Sequence, residues 1–548
     1  MNDPAEKEDG GYDAEKLEES SETSSIADHT HRTLKSRHVQ LIGMGGTIGT
    51  SLFVQVGFTM VKGGPGSLLI AFAFWTTVVM AVNNCLSEMV SWIPISSPYI
   101  RFSERFVDPA FGVCVGLNCF LMIAVLIPFE ITAFNLMLHF WTDKIPIEAV
   151  IVFVLVCYAC LNVFAVKFYG ESEFWLASGK IILALGLMVF TFITMLGGNP
   201  QHDVFGFRNW NPSKVPGTPF AEYFKTGSTG RFMGFIACLI QAAFTICGPE
   251  YFSMTAGEVV NPRTTLPRAF QTAYLRLATF FVGGALCMGI LVPYNDPALV
   301  NSLNDPAPGA GSSIYVIAMQ NMGINGLSHL VNVLIMLSVF SAGNSYMYCA
   351  SRCLYGLALE GKAPGSRWLR KCTKDGIPIF CVGVTLAFGF LAFMQVSSGS
   401  AKVLGWFVDL VTASTTLNYA YICFTYIRFY QALKYQGIDR NTLPFKGPFQ
   451  PFCTYYALFF TTVMTFIVGY TVFLPGNWDP PTFVFSYLII IISPFCYVWY
   501  KVANKTRFKR IEEIELFDAE RKLVDEYERS YVEKPARNAA QRVWRRLF

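Results

Sequence analysis

Past residue 36 the chain reads as apolar runs of about twenty residues, parted by short polar joints. About twenty apolar residues carry a helix across the hydrocarbon of a bilayer. Twelve such runs are expected, at 39–59, 67–93, 111–141, 146–167, 176–197, 231–254, 273–293, 325–350, 377–396, 401–427, 452–474 and 482–501. The pattern predicts an all-α membrane protein with twelve transmembrane helices. Residues 1–36 are polar, acidic and serine-rich, a composition that buries no core and is expected to be disordered. They contain no cleavable leader, so insertion falls to the first internal helix. Three parts result: a cytoplasmic tail over 1–36, a twelve-helix domain over 37–505, and a cytoplasmic tail over 506–548. Within the last, residues 511–530 read as a short charged helix with apolar Ile511, Ile514, Leu516, Leu523 and Val524. Docking across the inner face and a solvated helix are equally open for it.

Lysine and arginine mark the cytoplasmic ends of spans. Arg32, Lys35 and Arg37 precede the first run, Arg101 and Arg105 follow the second, and Arg263 and Arg268 follow the sixth. Another cluster, from Arg352 to Lys374, follows the eighth, whereas 294–324 and 475–481 hold neither residue type. The even number of runs and this bias place both termini in the cytoplasm. The exception is the long outer loop 198–230, with Arg208, Lys214 and Lys225.

Two runs are interrupted. The first carries Gly43, Gly45, Gly46, Gly49 and Gly57, with Thr47 and Thr50 beside them. Glycine costs about 1 kcal/mol relative to alanine inside a helix, so a break is expected near Gly45 to Thr50. The sixth run carries Cys247-Gly248-Pro249, and proline removes a helix hydrogen bond. Broken backbone survives in a membrane only where it lines a polar cavity. Matching interruptions five spans apart point to two inverted five-helix repeats with the binding site between helices 1 and 6.

Composition narrows the classes. Charged residues are 15% of the chain and hydrophobic ones 53%, far from the roughly 25% charged of soluble domains. A net charge of +4 gives no reason to expect nucleic acid. Most of the fifteen cysteines, Cys157, Cys160, Cys287 and Cys423 among them, lie in apolar runs and act as small hydrophobes. No metal-ligand spacing occurs, no cofactor is implied, and no nucleophile, base and orienting group share a motif, so an enzyme is not expected.

Ionisable residues inside spans are costly and are functional candidates. Glu130 lies mid-span just after Pro128; Lys180, Glu250 and Asp409 lie in the fifth, sixth and tenth runs. Glu88 and Lys180 sit near inner ends, where snorkelling to the interface competes with function. A carboxylate at the depth of Glu130 is costly unless water, a cation or a hydrogen-bond donor meets it, and a substrate amine is the expected partner. Phe129, Phe244, Tyr251 and Trp406 are candidates to face a quaternary ammonium, and Asp409 to add negative charge to the lining.

The segments GGTIGTSLFV (45–54), ERFVDP (104–109), PFEITA (128–133), GEVVNPRTTLPRA (257–269) and SVFSAGNSYMYCASRCLYGLALEGKAP (338–364) resemble the fungal amino-acid permeases of the amino acid–polyamine–organocation superfamily. The resemblance runs from about residue 35 to 505. YGESEFWLASGKIILALGL (169–187), TFITMLGGNPQHDVFGFRN (191–209) and ACLIQAAFTICGPEYFSMTAGE (237–258) resemble more closely the branch holding the yeast permease-like regulator of carnitine and polyamine uptake. The resemblance implies a five-plus-five inverted repeat with two extra helices, and proton-coupled import at the plasma membrane. It implies that backbone N–H groups of Thr50 and Ser51, next to Gly46, Thr47 and Gly49, receive a substrate carboxylate. Carbonyls near Phe244 and Thr245 would receive the amine, beside Cys247, Gly248 and Glu250. Glu130 would line the pocket and Lys180 would be the proton-coupling residue. Two positions depart from the family pattern: GTSLF stands for GTGLF, putting Ser51 where a glycine is usual, and ICGPE stands for FQGTE. A side chain at Ser51 restricts the approach of a carboxylate that glycine permits.

The reading that results is a plasma-membrane importer of amino acids or related amines such as carnitine or polyamines. Its partners would be the substrate, protons and membrane lipid, with trafficking or ubiquitin machinery a candidate for the tails. The alternative is a transporter-like nutrient sensor signalling through those tails.

Overall fold

A computed structural model describes residues 49–530, apart from 96–97, 143, 165–168, 255, 305–312, 374–375 and 518. Gly43, Gly45, Gly46 and Thr47, and with them most of the expected first break, lie outside the described residues.

The described chain is helical throughout. A π-helical turn, Ser51–Gln55, runs directly into α1, Val56–Trp92. Two helices meet within this range at a sharp kink at Gly64, where the backbone leaves helical geometry (φ +77°, ψ 170°). Pro65 carries no N–H, so the bend leaves few backbone groups to satisfy. The outer loop takes what remains: the Gly66 amide donates to the Pro219 carbonyl (2.8 Å) and the Ala221 amide to the Gly63 carbonyl (2.9 Å). A Cβ on Gly64 would sit 2.7 Å from the Pro219 oxygen and 2.8 Å from the Ala221 nitrogen. Gly64→Ala therefore combines a left-handed backbone, costing about 1–2 kcal/mol for a residue with a side chain, with overlap on backbone atoms. Lower surface abundance and a lower melting temperature in detergent are expected; wild-type values for both would contradict this account of the bend.

After the short helix Pro98–Phe106 come α2, Pro109–Leu138; α3, Ile147–Phe164; and α4, Tyr169–Met195. The sixth run is split into α5, Gly227–Thr245, and α6, Pro249–Met254. α7, Pro262–Arg276, continues through a π-helical stretch to Leu291. α8 is Asn325–Leu359, α9 is Ile379–Gly389 with extensions to Ser398, and α10 is Ser400–Tyr435. α11, Phe452–Ile467, and α12, Pro480–Asn504, complete the apolar helices.

Eight helical stretches among the described residues are long and apolar enough to cross a membrane, and α11 is a shorter apolar helix. The difference from twelve has three visible sources. The first two runs abut at the Gly64 kink and count as one stretch, the sixth is broken in two, and α10 turns a polar face inward, with Thr412, Ser414, Thr415, Thr416 and Asn418 buried.

Position in the bundle follows burial. In α2 the most apolar window is 83% buried, and in α12 only 17%. α2 packs between α8 and α10 at the centre, while α1 packs on α5. The α1–α5 crossing is made by glycines: a Cβ on Gly63 would meet the Gly234 carbonyl at 2.6 Å. Small residues let membrane helices approach where the hydrophobic effect gives no drive between them. On α12 the order of a soluble helix is reversed, with Ser486 and Ser493 buried and Ile491, Phe495, Val498 and Trp499 exposed.

The C-terminal segment is docked. It is a short 3₁₀ turn, Ile511–Glu513, followed by α13, Ala519–Ser530, rather than one helix over 511–530. Ile514, Leu516 and Val524 are buried while Leu523 is exposed. Arg105 donates from Nε and Nη2 to the Glu515 carbonyl (2.9 and 2.7 Å), and Gln436 donates to that of Ile514 (2.6 Å). Arg263 pairs with Asp525 and Glu528, and the Arg521 guanidinium lies 3.3 Å from the Trp92 ring centroid. Every partner comes from the ends that the charge bias assigns to the cytoplasm.

Candidate functional site

α5 ends at Thr245 and α6 begins at Pro249, leaving Ile246, Cys247 and Gly248 outside helical geometry. Gly248 has φ +151°, a conformation that side chains disfavour. The break at Cys247 to Pro249 lies where the Gly-Pro pair places it. It faces a small cavity lined by Gly49, Thr50, Ser51, Met122, Leu126, Phe129, Glu130, Phe244, Cys247, Glu250, Tyr346, Val411 and Thr415.

Glu130 is the buried charge on the α2 wall, 1% exposed. The Thr50 hydroxyl donates to its Oε2, linking α2 to the first turn of the described chain. Glu250 also lines the cavity, but its carboxylate is already engaged. The Tyr419 hydroxyl donates to it at 3.1 and 3.3 Å, and the Gly248 amide at 3.3 Å. Glu250 thereby fixes the break, and Glu130 accepts, among the described residues, from the Thr50 hydroxyl in the cavity wall. Phe129 and Phe244 meet edge to face with centroids 5.2 Å apart.

Of the residues singled out from the sequence, Gly49, Thr50, Ser51, Glu130, Phe244, Cys247 and Glu250 converge on this cavity. Gly248 sits behind the wall. Thr245 is fully buried and points elsewhere, its hydroxyl accepting from Gln241 (3.0 Å), which in turn accepts from Thr59 (3.2 Å). Gly46 and Thr47, and the side chain of Tyr251, lie outside the described residues.

Two expectations are corrected. Asp409 does not line the cavity; it accepts from Ser486 of α12 (3.0 Å), so its role is between α10 and α12. Trp406 stacks on Phe485 (5.6 Å) and donates to Thr482 (2.8 Å), also away from the site. Both lie on the α12-facing side of α10, whereas Val411 and Thr415, one turn apart, face the cavity.

Lys180 lies behind the wall, 3% exposed, with its Nζ 4.0 Å from Glu173. Sequence reasoning missed Glu173, although seven residues on one helix is two turns and places both on one face. It also missed Met122 and Leu126. Those stand eight and four residues before Glu130, so the α2 face was legible once Glu130 was chosen. Tyr346, Val411 and Thr415 carry no comparable signal.

A broken helix meeting a buried carboxylate in a multi-helix apolar bundle defines a multi-pass membrane permease. The amino acid permease family profile matches residues 38–513. The chain belongs to that family. It is 45% identical over 494 residues, 89% of this chain and 82% of the relative, to the general amino acid permease AGP2 of Saccharomyces cerevisiae. It is 38% identical to the proline-specific permease of Emericella nidulans (95% and 94% covered). Against the basic amino-acid permease of Saccharomyces cerevisiae it is 36% identical (94% and 88% covered). These relatives are transporters, and the chain is not an enzyme.

Proposed function

We propose that the protein imports amino acids or related amines, carnitine and polyamines included, across the plasma membrane with protons. The observation that carries this reading is the cavity wall, where buried Glu130 stands opposite the 246–248 break with Thr50 and Ser51 beside it. An ionised carboxylate there needs a cation, and a substrate ammonium is the natural one. The amides of Thr50 and Ser51 are assigned to the carboxylate end of an amino acid, with Ser51 weakening it. A positive amine is then required and an α-carboxylate dispensable. Twelve spans in a five-plus-five inverted repeat, with both termini cytoplasmic, complete the proposal. No observation in the fold favours the sensor reading.

The deciding experiment is labelled uptake in a permease-deficient cell, competed with amino acids, carnitine and spermidine. Uptake competed by amines supports the reading, and a dicarboxylate as best substrate overturns it.

Lys180 is assigned to proton coupling. Lys180→Ala should flatten the dependence of uptake on external pH more than it lowers surface expression. A variant with the wild-type pH profile would leave Lys180 a structural partner of Glu173.

A further inference from the structure

We propose that Glu173 is a positioning residue for coupling, holding the Lys180 ammonium when a substrate amine occupies Glu130. The inference rests on the reading that an amine binds at Glu130.

Three ionisable groups lie at and behind the cavity wall. Glu130 lines the cavity, Lys180 interacts electrostatically with it, and Glu173 lies beyond, 4.0 Å from the Lys180 nitrogen. The Lys180 side chain is 2% exposed and that of Glu173 13%. On its far side Glu173 is fixed by α8, where the hydroxyls of Ser341 (3.2 Å) and Ser345 (2.9 Å) both donate to Oε2. Among the described residues, Tyr158 of α3, near Glu130, and Cys349 of α8, near Glu173, also face the cluster.

The charge count gives the arrangement its sense. Among the described residues, Glu130 and Glu173 both lie near the Lys180 ammonium, and a second cation entering the cavity changes how it is shared. Unpaired buried charge is strongly unfavourable. A substrate ammonium at Glu130 repels Lys180 and strengthens its pairing with Glu173, 4.0 Å away. The 4.0 Å gap is about 1 Å longer than a charge-assisted hydrogen bond, so Lys180 has room to close on Glu173. No bond is made or broken; an ammonium changes partner. Because Glu173 is tied to α8, occupancy of the cavity is transmitted to the α4–α8 contact.

The test uses the full chain in permease-deficient cells, with whichever of labelled lysine, proline, carnitine and spermidine the wild type takes up. Glu173→Gln still accepts both serine hydroxyls and removes only the charge. It should raise the apparent KM at least about fivefold at equal surface level and displace the pH profile of uptake by about half a pH unit or more. Glu173→Asp should fall between wild type and Gln. In a Lys180→Ala background, Glu173→Gln should add little, since the residue acts through Lys180. Wild-type KM and pH profile in Glu173→Gln overturn the inference while uptake itself stands. If that variant is absent from the surface, Glu173→Asp decides: a displaced profile supports the proposal, a wild-type profile overturns it. Absence of uptake by the wild type overturns the transport reading and this inference together.

Discussion

Glu130→Gln should raise the apparent KM for cationic amines about tenfold, about 1.4 kcal/mol, with surface expression unchanged. Glutamine keeps the shape of the side chain and still accepts from the Thr50 hydroxyl. What it loses is the charge that faces the cavity. Glu250 cannot substitute for it, because Tyr419 and the Gly248 amide already occupy its oxygens. Uptake measured against concentration at fixed pH reads the effect directly. Normal transport by the variant would sink the assignment of the amine to Glu130, and the cavity would then need another cation partner.

Glu88→Ala should lower stability more than any other single change named above, by roughly 3–5 kcal/mol, the cost of leaving a buried charge without its partner. Glu88 is fully buried at the inner end of α1, not extended to the interface. Its carboxylate accepts from the Tyr426 hydroxyl (2.5 Å), the Gly447 amide (2.6 Å) and the Arg440 guanidinium. One side chain therefore pins the end of α10 and the loop before α11 to α1. Arg440→Ala should cost a similar amount, and the double variant less than the sum, as expected of residues in direct contact. Melting of the detergent-solubilised protein checks both. Additive losses would show that Glu88 and Arg440 act independently.

Glu88 also shows where sequence reasoning fails. Near the end of an apolar run, a snorkelling glutamate and a buried anchor have the same local pattern. Arg440 is 352 residues away, and only the fold brings it into contact. Asp409 fails in the same way. It sits in an apolar run as Glu130 does, yet the rotation of α10 gives it to Ser486 and gives Val411 and Thr415 to the cavity.

The sequence by itself determined the helical class, the run of apolar segments from 51 to 504, and the break at Cys247 to Pro249. These are local consequences of residue type: apolar length decides what can enter lipid, and Gly-Pro ends a helix wherever it stands. It also singled out Glu130, a mid-run carboxylate that the fold places in the cavity wall. The tertiary structure decided which of the buried charges share a neighbourhood. It held the Gly64 kink against Pro219 and Ala221 of the outer loop, and it tied Glu173 beside Lys180 to Ser341 and Ser345 of α8. It also folded Ile514, Leu516 and Val524 against the inner ends of the bundle. Such pairings depend on how helices distant in sequence rotate and cross, and side-chain periodicity along one helix does not record that.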